Sequence, residues 1–411
     1  MSDGQSTRLF YGWVVVACAF SILALAYGVQ YSFGVYVPAI VDDLGWERAT
    51  LGGAFSLYAM IYLGVTVLAG RLTDKLGPRL VISVGGLLIA AGLLGSSRAT
   101  EPWHLFFWYG IVAAFGMSTA YIPCNITVAR WFERRRGLAV GLSSSGSSCG
   151  IFLVPLLAVT LLTQFGWRSA MAGLATLLFF LTLIAARFMV RSPADAGLLP
   201  DGEQHDRETP TRALPASMNL RTSLKTSSLW IFIFGFAVAL VPMTVPFVHL
   251  SVLATDLELA VEKGAIAVSV IGITALIGGI CLGILSDRIG LKVTFLLALF
   301  SQVVAYTLFY FAQSEALVLA GAVFFGVFYG GFSATFPGLM VHLFGPANAG
   351  TIGGLVISGG GLLGSWGPAA VGYFRDSDGD YKRAFLFCAA MALGSVVLMT
   401  FLKKPAMEEH A

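Results

Sequence analysis

Charge is what this sequence has least of. Asp, Glu, Lys and Arg make up 11% of its 411 residues, less than half the roughly 25% of a soluble globular domain. So few charges could not cover a water-facing surface, which excludes soluble, disordered and nucleic-acid-binding classes for the chain as a whole. The net charge of +3 is too small to signal a polyanionic partner. Cysteine is scarce too: Cys18, Cys124, Cys149, Cys281 and Cys388 lie singly in apolar stretches, with no C-x-x-C pair. They read as small hydrophobes, so neither a disulfide framework nor a metal site is expected. The chain also lacks a G-x-x-x-x-G-K-[ST] loop and an H-E-x-x-H pair, which argues against an ATP-driven pump and a zinc hydrolase. What is abundant is apolar: 57% hydrophobic residues, 48 glycines and 31 phenylalanines. That is the composition of a polytopic membrane protein.

A spanning helix needs about 20 mostly apolar residues. Twelve such segments can be drawn, near 11–37, 48–70, 79–97, 103–129, 136–162, 168–191, 227–254, 263–287, 291–312, 315–343, 349–374 and 381–403. An even number puts both termini on one side, and basic residues choose the side. With the termini in the cytoplasm, 18 of the 25 Lys and Arg fall on cytoplasmic ends and loops, while the 22 acidic residues split evenly. The expected topology therefore has both termini inside. In it no Asp, Glu, Lys or Arg lies mid-membrane, where an ionisable group would mark a substrate or ion path. The one long polar stretch, 192–226, reads as a partly flexible linker between bundles at 1–191 and 227–411.

The halves repeat at an offset of 213 residues. Gly70-Arg-Leu-Thr-Asp74-Lys75-Leu-Gly77-Pro-Arg79 matches Gly283-Ile-Leu-Ser-Asp287-Arg288-Ile-Gly290-Leu-Lys292. At the same offset Gly137, Gly141, Ser145 and Pro155 fall on Gly350, Gly354, Ser358 and Pro368. Parallel repeats of this kind build transporters with a substrate site between the halves near the bilayer midplane.

This duplicated G-x-x-x-D-[RK]-x-G-x-[RK] loop resembles that of the major facilitator superfamily, and the resemblance covers essentially the whole chain. It implies an all-α integral membrane fold: twelve helices in two six-helix bundles related by pseudo-twofold symmetry. Tyr11-Gly12-Trp13, Phe33-Gly34-Val35, Trp131-Phe132, Phe165-Gly166-Trp167-Arg168 and Ala196-Gly197-Leu-Leu-Pro200-Asp201-Gly202 resemble monocarboxylate transporters and bacterial oxalate/formate-type carriers. The expected activity is therefore secondary transport of a monocarboxylate-type organic acid with a proton. The expected setting is a bacterial cytoplasmic (inner) membrane, with the chain acting as a monomer and without a cofactor.

Candidate residues fall into three groups. Asp74, Lys75, Arg79, Asp287, Arg288 and Lys292 read as a gating latch: each carboxylate can meet free N–H groups at a neighbouring helix start, and each cation can pair with it or reach lipid phosphate. Polar and aromatic residues inside the helices that line the cavity in the resembling family form the second group: Gln30, Tyr31, Tyr121, Asn125, Tyr329 and Ser333. Interhelical hydrogen bonding would explain the same residues without a substrate. His249, seven residues before Asp256, is the third, because histidine changes charge near neutral pH; a neutral ring bonded to a backbone carbonyl is the alternative. One departure matters. Carriers of monocarboxylates place an arginine on helix 8, eight residues before the loop aspartate, and here that position is Gly279. A neutral or lipophilic substrate is the resulting second expectation.

Overall fold

The computed structural model describes residues 10–202, 217–256, 261–378 and 380–405. Helices α1 (Tyr11–Leu44), α2 (Arg48–Leu76), α3 (Pro78–Ser96) and α4 (Pro102–Trp131) precede one unbroken 52-residue element, Arg136–Arg187. A straight helix of that length would reach about 78 Å, more than twice a hydrocarbon core of about 30 Å. It turns back at Gly166, whose φ of 75° and ψ of 165° are open to glycine alone. The beginning of the second arm is pinned to the end of α1: Trp167 Nε1 donates to Asp43 Oδ2 at 3.1 Å and the Arg168 guanidinium pairs with the same carboxylate. The element is therefore two helices, α5 (136–165) and α6 (167–187), and Phe165-Gly166-Trp167-Arg168 is the hairpin between them.

The second half follows as α7 (Ser227–Met243, then Val245–Asp256), α8 (Val261–Ile289), α9 (Leu291–Tyr310), α10 (Glu315–Phe344), α11 (Ala349–Gly364, then Gly367–Asp378) and α12 (Lys382–Thr400). Ten helices among the described residues are long and apolar enough to cross a membrane. The hairpin at Gly166 makes one of them two crossings, and the apolar Ala349–Gly364 with its continuation adds another, giving the twelve expected. Several helices outrun their apolar runs. The first continues through Pro38 to Leu44 and stops at Gly45, which adopts the left-handed conformation (φ 68°) and donates to the Val41 carbonyl. Leu80, Val84 and Leu87 of α3, Ile184 of α6, Leu297 of α9 and Leu386 of α12 expose large apolar side chains, the faces that contact lipid.

Both described ends of the linker are docked. Asp201 Oδ2 accepts from Glu133 N and Arg134 N at 2.8 Å each, in the α4–α5 loop. Met218 N donates to the Phe344 carbonyl at 2.9 Å and Ala347 N to Ser217 Oγ at 3.2 Å, at the α10–α11 loop. The expected linker is therefore anchored at each margin; its residues 203–216 lie outside the described part.

Across the boundary between halves, backbones meet at glycines. A methyl group at Gly70 of α2 would fall 2.0 Å from the Gly350 carbonyl of α11, and one at Gly141 of α5 would fall 2.5 Å from the Gly279 carbonyl of α8. Such contacts are available only to residues without a side chain, the usual device of helix packing in lipid.

Candidate functional site

At the end of the bundle that carries the linker, two carboxylates join the halves. Asp74 lies near the end of α2. Its Oδ2 accepts from Thr351 N at 2.6 Å and from Thr351 Oγ1 at 2.7 Å, in the first turn of α11. Its Oδ1 lies 2.6 Å from Arg130 Nη2, and both side chains are only 5% exposed. Arg130 also donates from Nε to the Pro346 carbonyl at 2.8 Å and from Nη2 to the Ala347 carbonyl at 3.2 Å. The anion thus meets orphan N–H groups and the positive end of the helix dipole, while a cation offsets its burial. The repeat reproduces the first half of this arrangement. Asp287 Oδ1 accepts from Gly137 N at 2.7 Å and its Oδ2 from Leu138 N at 3.0 Å, at the start of α5.

The cation beside Asp74 is therefore Arg130, while Lys75, Arg79 and Arg288 are exposed. Lys292 is committed elsewhere: its Nζ donates to the Thr400 and Leu402 carbonyls at 2.7 and 2.6 Å, closing the end of α12. Sequence reasoning missed Arg130 because it resembled one more basic residue at a helix end. Its counterpart at the 213 offset is Leu343, so the repeat gave no second instance.

The candidates expected to line a cavity come together only in part. Tyr121 OH of α4 donates to the Ser333 carbonyl of α10 at 3.0 Å, and Ser144 Oγ of α5 makes a second bond to that carbonyl at 3.0 Å. Asn125 is fully buried on the α4–α5 side, where its Oδ1 lies 2.7 Å from Ser143 Oγ and 3.0 Å from Ser144 Oγ. Tyr31 and Tyr329 approach each other from α1 and α10 and both contact Phe247 of α7, with ring centroids 6.3 and 5.7 Å away. Gln30 stands apart; its Oε1 is buried without a hydrogen-bond partner. Tyr62 of α2, not among the expected residues, joins this group through its hydroxyl, 3.1 Å from that of Tyr27. Its signal was present in the sequence: Phe55, Tyr58 and Tyr62 follow i, i+3, i+7 spacing and so share a face. Phe232, Phe236, Phe332 and Phe336 wall the C-terminal side with rings 5.4 to 6.0 Å apart.

His249 bridges three helices. Its Nδ1 lies 3.0 Å from Tyr381 OH at the start of α12 and its Nε2 lies 3.1 Å from the Pro368 carbonyl of α11. A carbonyl can only accept, so Nε2 carries a hydrogen. The side chain of Asp256 lies outside the described residues.

The family model described as Major Facilitator Superfamily matches residues 19–368 and 243–411. The chain belongs to the major facilitator superfamily. Human monocarboxylate transporter 11 is 30% identical over 93% of this chain and 81% of that protein. Rat monocarboxylate transporter 13 is 30% identical over 95% of this chain and 89% of its own length. Among solved structures, the E. coli fucose:proton symporter superposes with a TM-score of 0.73 at 14% identity, covering 96% of this chain and all of that one. The human organic anion transporter of the superfamily gives 0.70 at 15% identity over 94% of this chain and 99% of its own. This is a membrane transporter related to the monocarboxylate transporters, and not an enzyme. The two monocarboxylate transporters are animal proteins, so they do not speak for the expected bacterial inner membrane.

Position 279, where the resemblance to monocarboxylate carriers leads to the expectation of an arginine, is a close contact between helices. Gly279 is wedged between α5 and α10. A methyl on it would lie 3.3 Å from the Gly330 carbonyl, and one on Gly330 would lie 2.6 Å from Gly279 N. A side chain beginning at position 279 would crowd the α10 backbone by a few tenths of an ångström.

Proposed function

We propose that this chain is a secondary active transporter that moves a monocarboxylate-type organic acid together with a proton by rocking of its two halves. The observation that carries the substrate reading is the chemistry of the midplane: Tyr121, Ser144 and Asn125 supply neutral polar groups beside a phenylalanine wall. Such a surface suits a solute with an apolar body and one hydrogen-bonding head. A bare carboxylate buried without a cation is poorly compensated, whereas an acid crossing with its proton is neutral overall. The names of the relatives, monocarboxylate transporters 11 and 13, point the same way. In this reading the linker end faces the cytoplasm, as the distribution of Lys and Arg requires, and the two latches hold that side closed. His249 is the proposed proton carrier, with Asp256 near the opposite mouth.

Uptake into proteoliposomes tests this. Labelled monocarboxylates are expected to accumulate faster with an inwardly directed proton gradient, and His249→Gln is expected to flatten that dependence. Acid uptake indifferent to the gradient would remove proton coupling. The packing of Gly279 against Gly330 favours a second reading, a transporter or exporter of a neutral or lipophilic compound. Uptake of such compounds in the absence of any acid uptake would establish it instead.

A further inference from the structure

Ser333 and Pro337 lie four residues apart in the second half of α10. In an α-helix the carbonyl of one residue is bonded by the N–H four residues on, and proline has none. The Ser333 carbonyl is thus denied its helical donor at a depth where water cannot replace it. Its partners come from the opposite half instead: Tyr121 OH and Ser144 Oγ, each at 3.0 Å. All three residues are at least nine-tenths buried. Counting about 1.5 Å per residue inward from Trp131, Arg136 and Phe344, the cluster lies roughly 12–17 Å deep, near the middle of a core of about 30 Å.

The amide beside them is incomplete. Asn125 is wholly buried, its Oδ1 faces both serine hydroxyls, and its Nδ2 has no hydrogen-bond partner. Each serine has one hydroxyl hydrogen, and Ser143 Oγ also lies 3.0 Å from the Val140 carbonyl. Turning the amide over would let Nδ2 donate to both serines, whose hydrogens then go to the Val140 and Ser333 carbonyls; the two orientations are equivalent in shape. In either one, a polar end of Asn125 is left without a partner.

We propose that Tyr121 and Ser144 form a neutral two-donor site for an acceptor oxygen of the substrate, the carboxyl or carbonyl oxygen of its head, and that the Ser333 carbonyl stands in for that oxygen when the halves are closed at this level. Asn125 positions Ser144. A substrate that takes the two hydroxyls frees α10 from α4 and α5, so occupancy and the parting of the halves become one event. Recognition of this kind needs no cation at position 279. The inference rests on the transport reading above and names the head group that the same site selects.

The test uses the full-length purified protein and three probes: 3-phenylpropanoate, pyruvate and 3-phenylpropylamine, with Kd taken from thermal stabilisation. The carboxylates are expected to stabilise the wild type and the amine is not. Ser144→Ala and Tyr121→Phe should each weaken carboxylate binding by about fivefold to tenfold, because the bond each hydroxyl gives a charged carboxylate is stronger than the one to the neutral Ser333 carbonyl that it replaces. Pro337→Ala returns an N–H to the Ser333 carbonyl and should tighten binding, because the hydroxyls no longer have a competitor. Carboxylate binding unchanged in Ser144→Ala and Tyr121→Phe, or weakened by Pro337→Ala as well, would overturn the site and leave the transport reading intact. Binding of the amine alone would overturn the acceptor-oxygen assignment. A wild type that neither binds nor transports either carboxylate would defeat both.

Discussion

Asp74 and Asp287 occupy equivalent places in the repeat, yet their surroundings differ by one side chain: Arg130 stands beside the first, and Leu343 holds the corresponding place in the second half. A buried ion pair is worth little against an apolar replacement, but removing one partner strands the other. Asp74→Ala is therefore expected to cost about 3–5 kcal/mol, because it leaves the Arg130 guanidinium buried and unpaired. Asp287→Ala deletes an acceptor at a helix start from a more exposed carboxylate and should cost about 0.5–2 kcal/mol. Melting curves in detergent check the ranking, and Asp74→Ala with Arg130→Leu should recover part of the loss. Uptake should fall in both single variants while the protein still inserts. The two carboxylates were legible in the sequence because the loop is written twice. Arg130 was not, because its role depends on the carbonyls of Pro346 and Ala347 arriving from the other half, and no local pattern records that.

The helices meet across the molecule on glycine, and glycine tolerates sliding that side chains would block. Replacing Gly70 or Gly141 by Val should arrest transport by more than about tenfold, since a side chain there meets backbone that cannot yield. Cysteine cross-linking at the linker end, read beside uptake, shows whether the halves are forced apart. Gly279→Arg tests the same packing from the functional side. It is expected to lower the melting temperature, because its side chain would begin 3.3 Å from the Gly330 carbonyl, closer than ordinary contact. Element order and the small-residue faces could be read from apolar length and the 213-residue offset. The turn between α5 and α6 was legible too, since the spans drawn at 136–162 and 168–191 leave Gly166 between them. One feature was not: the break in α10's hydrogen bonding matters only once Tyr121 and Ser144 are seen opposite Ser333.

At the scale of the whole molecule, the lipid-facing helices contribute apolar surface and the inner helices the polar groups, so the scarcity of charge is a scarcity confined to the bilayer. Aromatic clusters secure each half internally. Tyr11 and Trp13 pack on Trp131 and Phe132 with ring centroids 5.4 and 4.8 Å apart, which accounts for the opening Tyr11-Gly12-Trp13 as a structural motif. The linker belongs to this level as well. Asp201 is fastened to the α4–α5 loop of the first half, and Ser217 and Met218 to the α10–α11 loop of the second. Each half therefore holds its own end of the linker, and we propose that the covalent link chiefly keeps the two halves at high mutual concentration. Covalent continuity is then dispensable: residues 1–202 and 217–411, produced as separate chains in one cell, should co-purify and regain uptake above either piece alone. Recovery of uptake would make this transporter, in effect, a heterodimer translated in one pass.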